Sequence, residues 1–176
     1  MRRFRMDIRR WATPADLARH LDHHHPNICS WWQRIVLHHT VVPTLAQWRG
    51  LRSMEAMANY YQRLGWPAGP HLFIAVGSPR PQDDGIWQMT ALNERGIHAG
   101  ICNVDSVGIE VVGRYDAAPW SPRMRAVVYD VLVALQRWQR RQIHIIGHRD
   151  CNSPKSCPGR AIDLNVVRRD VAEAMQ

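Results

Sequence analysis

Long apolar runs are missing from this chain of 176 residues. Nothing approaches the roughly 18 uncharged residues of a membrane-spanning helix. The basic N-terminus, MRRFRMDIRRW, is not followed by a continuous apolar segment, so it does not read as a secretory signal. A chain made in the cytoplasm and acting elsewhere would then need another route of release. Acidic residues are in deficit, 15 against 23 Lys and Arg, for a net charge of +8. That balance favours an anionic partner: nucleic acid, a membrane surface or an acidic wall polymer. Zinc-finger spacing, an RNP motif and a basic helix with stacking aromatics are all absent, so no nucleic-acid partner is expected. Cysteine is scarce, and its four positions are too scattered for a disulfide scaffold. Cys29, Cys102 and Cys151 are expected as reduced thiols. Neither an internal repeat nor a dividing linker is visible, and the length suits one domain with a proper core. The oligomeric state is not set by the sequence; a monomer is favoured.

What is present alternates between β-branched runs and amphipathic stretches. Thr13-Pro14 with Leu17 and Leu21 predicts a short N-terminal helix ending near His25-Pro26. The tract His23-His24-His25 reads as solvent-facing residues at a helix end rather than as ligands. Ile35-Val36-Leu37 is a short strand ending in His38 and His39. Ser53–Leu64 is a helix with a Ser cap and a stripe of Met54, Met57, Tyr61 and Leu64. His71–Val76 and Ile86–Thr90 are strands joined by a hairpin-like loop. Ser106–Gly113 is a buried strand, Ser121–Arg141 the longest helix, Ile143–Gly147 a further strand and Asp163–Ala174 a final helix. The expected class is α/β, a mixed central β-sheet flanked by helices on both faces. Residues 1–30 read as an N-terminal helical extension and 31–176 as the main domain.

Candidate chemistry gathers at strand ends. Gly147 breaks the isoleucine run, so His148 is the last side chain that strand delivers. Cys157 follows in a Pro-containing loop. A parallel or mixed sheet could set His38 beside His148 at one edge. His39 would point to the opposite face. Two imidazoles and one thiolate suit zinc and leave a fourth position open, the pattern of a catalytic site. An ion so held lowers the pKa of water and polarises a carbonyl. Glu110 lies in Val-Gly-Ile-Glu-Val-Val, where a carboxylate is costly unless paired or used. It is either a buried salt-bridge partner or a poised acid–base group, and the second is favoured. Lys155 would place a cation beside the ion and stabilise an oxyanion. The parts amount to a metal-assisted amide hydrolase.

The segments IVLHHT, HLFIAV, IHAGICNVDSVGIEVVG and GHRDCNSPKSCPG resemble the zinc-dependent N-acetylmuramoyl-L-alanine amidases. This is the amidase-2 family, which includes the phage T7-type lysozymes and the peptidoglycan recognition proteins. The likeness runs from about Trp31 to Asp163. It implies a zinc ion held by His38, His148 and Cys157, with Glu110 and Lys155 as catalytic groups. It implies a substrate groove touched by His98, with His71 and Trp66 as possible wall residues; for Trp66, core packing is an equal reading. It also implies cleavage of the amide between the muramic acid lactyl group and L-alanine of peptidoglycan. Two departures stand out. Cys157 lies nine residues beyond His148, one more than is usual, so a bulge is expected within Asp150–Pro154. Pro70 stands where many relatives carry a Tyr, which shifts weight onto Glu110 and Lys155.

Three functions are compatible with these residues. A phage-type endolysin fits the compact basic chain. A muropeptide-recycling amidase of the cytoplasm uses the same motifs. A non-catalytic peptidoglycan-binding module commonly lacks the Cys ligand, which this chain keeps.

Overall fold

A computed structural model describes residues 6–24 and 29–176. Six strands form one sheet: β1 (Arg9–Trp11), β2 (Arg34–His39), β3 (Leu72–Ala75), β4 (Gly85–Gln88), β5 (Ser106–Val111) and β6 (His144–Gly147). Their spatial order is β1-β4-β3-β5-β2-β6. β1, β4 and β3 pair antiparallel, whereas β3, β5, β2 and β6 run parallel. The central strands carry Ile and Val at successive positions because both of their faces are covered.

Alternation along each strand sorts the side chains into two layers. Ile35, Leu37, Leu72, Ile74, Val107, Ile109 and Ile145 enter the larger core with α1 (Pro14–His24), α3 (Pro122–Trp138) and α4 (Leu164–Ala174). Phe73 and Ala75 turn to the other face, where Met54 and Ala58 of α2 (Leu51–Arg63) pack with Trp48 and Trp87. Helices therefore cover both faces, as expected from the alternation of elements.

Local capping explains where two of the helices begin. Ser121 Oγ accepts from the Met124 N–H, with Pro122 in the first turn of α3. Asp163 accepts from the Asn165 and Val166 N–H groups at the start of α4. The expected Ser53 cap is corrected: α2 starts two residues earlier, after Gly50. Ser53 lies within its first turn, where its hydroxyl accepts from the Arg49 N–H at 2.9 Å.

The N-terminal stretch holds a strand as well as the expected helix. Arg9–Trp11 pairs with Ile86–Gln88 at the sheet edge. Two arginines and a tryptophan give no alternating pattern, so β1 has no sequence signal; pairing with β4 creates it. His25 and Pro26, where α1 was expected to end, lie outside the described residues. Leu17 and Leu21 are fully buried against the main core.

That burial predicts Leu17→Ala will lower unfolding stability by about 2–5 kcal/mol, measured by denaturant titration. A loss below about 0.5 kcal/mol would show that α1 is a dispensable appendage.

Candidate metal centre

Strand register builds the site. β2 lies between β5 and β6, with His38 opposite Glu110 and Leu37 opposite Gly147. His148 follows Gly147 and opens a 3-10 turn through Asp150, so the His38 and His148 rings meet with centroids 4.7 Å apart. Cys157 arrives from the next loop; the His39 N–H donates to its Sγ at 3.2 Å. Donor atoms of His38, His148 and Cys157 all lie within 4.8 Å of one another. His39 joins no other donor in this group: its Nδ1 accepts from the Tyr115 N–H, and the residue borders the cavity above the site.

The Cys157 loop is braced by residues that sequence reading passed over. Arg149 donates to Gly159 O at 2.8 Å and to Ile162 O at 2.9 Å. The Arg149 N–H donates to Cys157 O at 3.0 Å. Gly159 has φ +120° and lies against the Tyr115 carbonyl, where a Cβ would approach to 2.3 Å. Asp150 Oδ2 accepts from the Gly147 N–H at 2.9 Å, closing the turn that aims His148. The local signal was the HRD triplet itself: a cation and an acid beside a ligand are residues able to tie down a loop.

The chemistry of the donor set fits a soft divalent cation. Burial, then His98 and His148, hold His38 well below the ordinary imidazole value. Burial and Lys155 hold His148 down to about 4. Both rings are therefore neutral near pH 7 and have a lone pair to give. Burial, then Glu110, push the Cys157 thiol up to about 12, so the sulfur keeps its proton until a cation displaces it.

Glu110 is buried with Oε1 3.8 Å from His38 Nδ1. Its Oε2 has no hydrogen-bond partner among the described residues. Burial raises this carboxyl to about 8, against a smaller opposing effect from Lys155. Of the two sequence readings for Glu110, the geometry therefore disfavours a buried ion pair with Lys or Arg. Lys155 is exposed on the rim.

A cavity of about 500 Å³ opens over these groups. Its floor includes His38, Glu110, His148 and Cys157; Tyr60, Tyr61 and Trp66 line one side, and Arg114, Asp116 and Lys155 another. Trp66 is half-buried and stacks on Tyr61 with centroids 5.1 Å apart, so it serves both the wall and packing. The Tyr61 ring also lies against Gly69, beside Pro70. His98 reaches the cavity from below, its Nδ1 3.0 Å from His38 Nε2. His71 does not fit the wall role expected of it: it is fully buried behind His98 and does not line the cavity. Its Nδ1 accepts from the Gly108 N–H, and its Nε2 meets Glu94 O.

The expectation of three reduced thiols is also corrected. Cys102 and Cys151 form a disulfide with Cα atoms 5.9 Å apart. They are 49 residues apart in sequence, so spacing gave no hint. The fold brings the two loops together beneath the site, with Val36 and Ile146 in the same buried cluster. Cys29 is free and buried.

The family model described as N-acetylmuramoyl-L-alanine amidase matches residues 30–160. The chain belongs to this amidase family. Peptidoglycan-recognition protein SC1a of Drosophila melanogaster is 29% identical over 130 residues, 70% of this chain and 66% of that protein, just under two thirds of its length. Two solved folds are similar. The endolysin amidase LysCS from Clostridium intestinale URNW has a TM-score of 0.65 at 20% identity, covering 84% of this chain and 86% of that one. Drosophila PGRP-LB has a TM-score of 0.64 at 21% identity, covering 77% and 79%. The mixed sheet flanked by helices is thus the amidase fold. No helix among the described residues is long and apolar enough to cross a membrane.

Two measurements probe this site and its support. Closing a 49-residue loop is expected to contribute about 4 kcal/mol, so the Cys102→Ser/Cys151→Ser double variant should show that loss in denaturant midpoint. Glu110 has a folded-state pKa near 8, above its ordinary 4.5. Its neutral form is the one the fold favours. That contribution is fully present below about pH 4.5 and is lost as pH rises through about 8. Glu110→Gln should therefore raise the melting temperature of chelator-treated protein at pH 9 and flatten its decline between pH 5 and 9. An unchanged pH profile would show that the carboxyl is already paired.

Proposed function

We propose that this chain is a zinc-dependent N-acetylmuramoyl-L-alanine amidase, cleaving the bond between the muramic acid lactyl carbonyl and the L-alanine nitrogen of peptidoglycan. The observation that carries the reading is the convergence of two neutral imidazoles and one thiol within 4.8 Å, beside a buried carboxyl with an orphaned oxygen.

His38, His148 and Cys157 would hold the ion, which supplies Lewis acidity and lowers the pKa of the attacking water. Glu110 takes the proton as water oxygen adds to the lactyl carbonyl carbon. Burial raises the pKa of the Glu110 carboxyl in the metal-free chain; a cation held beside it would favour the carboxylate that accepts the proton, and its desolvated surroundings would favour giving that proton back. Glu110 hands the proton to the leaving nitrogen as the C–N bond breaks, giving a lactyl carboxylate and a free L-alanine amine. Lys155 at the rim places positive charge near the developing oxyanion. Tyr60, Tyr61 and Trp66 offer flat apolar faces to sugar rings or to the peptide stem. Pro70 also borders the cavity, and the Tyr61 ring lies against the neighbouring Gly69.

The disulfide bears on where the enzyme works. Disulfides persist in oxidising surroundings and are rare in the reducing cytosol. Cys102–Cys151 therefore favours an endolysin acting on the wall over a recycling enzyme in the cytoplasm. The net charge of +8 agrees, since the wall and its envelope are anionic.

The test is metal analysis together with mass spectrometry of muropeptide digests. The purified protein should carry about one zinc per chain and release stem peptides with a free L-alanine N-terminus. Cys157→Ser should lower turnover by at least about 100-fold while wall binding persists. Cleavage of glycosidic bonds, or undiminished turnover in that variant, would defeat the assignment. Zinc-loaded protein that binds sacculi and cuts nothing would mark a recognition module instead.

A further inference from the structure

His98 was expected to touch substrate, but its hydrogen bonds point inward. Its Nδ1 lies 3.0 Å from His38 Nε2. Its Nε2 lies 3.5 Å from both the carbonyl and the hydroxyl oxygen of Ser106. The Ser106 hydroxyl spends its proton on the Cys102 carbonyl. Both oxygens facing His98 Nε2 are therefore acceptors, so the ring proton of neutral His98 belongs on Nε2. Nδ1 is left with a lone pair, and the only hydrogen that can fill the 3.0 Å contact is one on His38 Nε2. Neutral His38 then has its lone pair on Nδ1, the nitrogen beside Glu110.

The surrounding fold holds this chain of contacts in place. The His98 and Ala99 N–H groups both donate to Asn103 Oδ1, at 2.9 and 2.7 Å. The disulfide at Cys102 ties the same loop to the segment after His148. Beneath the ring is Gly108 of β5, where a Cβ would lie 2.5 Å from His98 Cγ. Behind it, His71 packs edge-on with centroids 5.7 Å apart. A ring clamped from four sides, with each nitrogen against a defined partner, is poorly suited to gripping a mobile substrate. It is well suited to fixing a neighbour.

We propose that His98 is a positioning residue that sets the tautomer of His38, presenting Nδ1 rather than Nε2 to the metal, and that Gly108 is glycine because this ring must lie against β5. The inference rests on the metal-site reading above. A ligand imidazole whose distal nitrogen is hydrogen-bonded binds metal more tightly, because its orientation and tautomer need no reorganisation.

The side chain of Asn places its Oδ1 near where His has Nδ1, whereas Gln reaches toward the Nε2 position. His98→Asn should therefore keep zinc affinity within about threefold of the parent, measured by competition with a chromophoric chelator. His98→Gln and His98→Leu should each lose about 10- to 100-fold. Gly108→Ala, which leaves every imidazole in the sequence, should lose affinity to a similar degree by displacing the ring. Cobalt-loaded His98→Asn should retain the parent's visible and thiolate charge-transfer bands, and the Gln and Leu variants should shift them. Circular dichroism and melting temperature confirm that each variant is folded; should Gly108→Ala fail that check, the Asn, Gln and Leu series decides. Equal affinity for the Asn and Leu variants, or Leu within threefold of the parent, overturns the proposal. A parent that takes up no zinc defeats the metal reading and this inference with it. A parent that binds zinc in a His98-dependent way yet cuts no muropeptide leaves the inference standing and sinks only the proposed activity.

Discussion

The parallel pairing of β2 between β5 and β6 is the constraint on which the site depends. With Leu37 opposite Gly147 and His38 opposite Glu110, three polar side chains emerge together at the carboxyl ends of neighbouring strands. A slip of one residue in either pairing would reverse the faces; a slipped β2 would turn Val36 and His38 into the helical core and bring Leu37 to the site. The apolar side chains enforce the register. Ile35, Leu37, Val107, Ile109 and Ile145 must all reach the layer of α1, α3 and α4, and a one-residue slip would turn them away from it. The geometry of the candidate site is in this sense a by-product of hydrophobic alternation.

That arrangement carries an electrostatic cost. Two imidazoles, a thiol and a carboxyl share a buried floor, and the fold favours the uncharged form of each. Glu110 Oε2 has no partner among the described residues. Such a cluster is unfavourable to a protein by itself, and the proposed cation would relieve it by accepting lone pairs and displacing the thiol proton. The supports follow the same logic. Arg149, Asp150, Asn103 and the Cys102–Cys151 bridge fasten the loops carrying His148, Cys157 and His98, because loops alone would not hold donors to within fractions of an ångström.

Much of this was legible in residues of strong local character. β-branched runs marked β2, β5 and β6, and Ser121-Pro122 marked the start of α3. The sequence also marked His38, His148, Cys157 and Glu110, as a polar residue at or inside an apolar strand stands out. Less visible were features whose cause is distant in the chain. β1 is three residues held by its partner β4. Ser53 resembles a cap and sits within the first turn of α2, because Gly50 allows the helix to begin earlier.

Local pattern by itself determined the alternating elements, the mixed-sheet class and which side chains were too polar for their surroundings, because periodicity and burial cost are written in neighbouring residues. Tertiary structure alone decided that Cys102 meets Cys151, that His71 lies behind the wall, and that His98 turns inward to His38. Those outcomes depend on which loops the sheet order places side by side, and no local pattern encodes a contact between residues 60 positions apart, as His38 and His98 are.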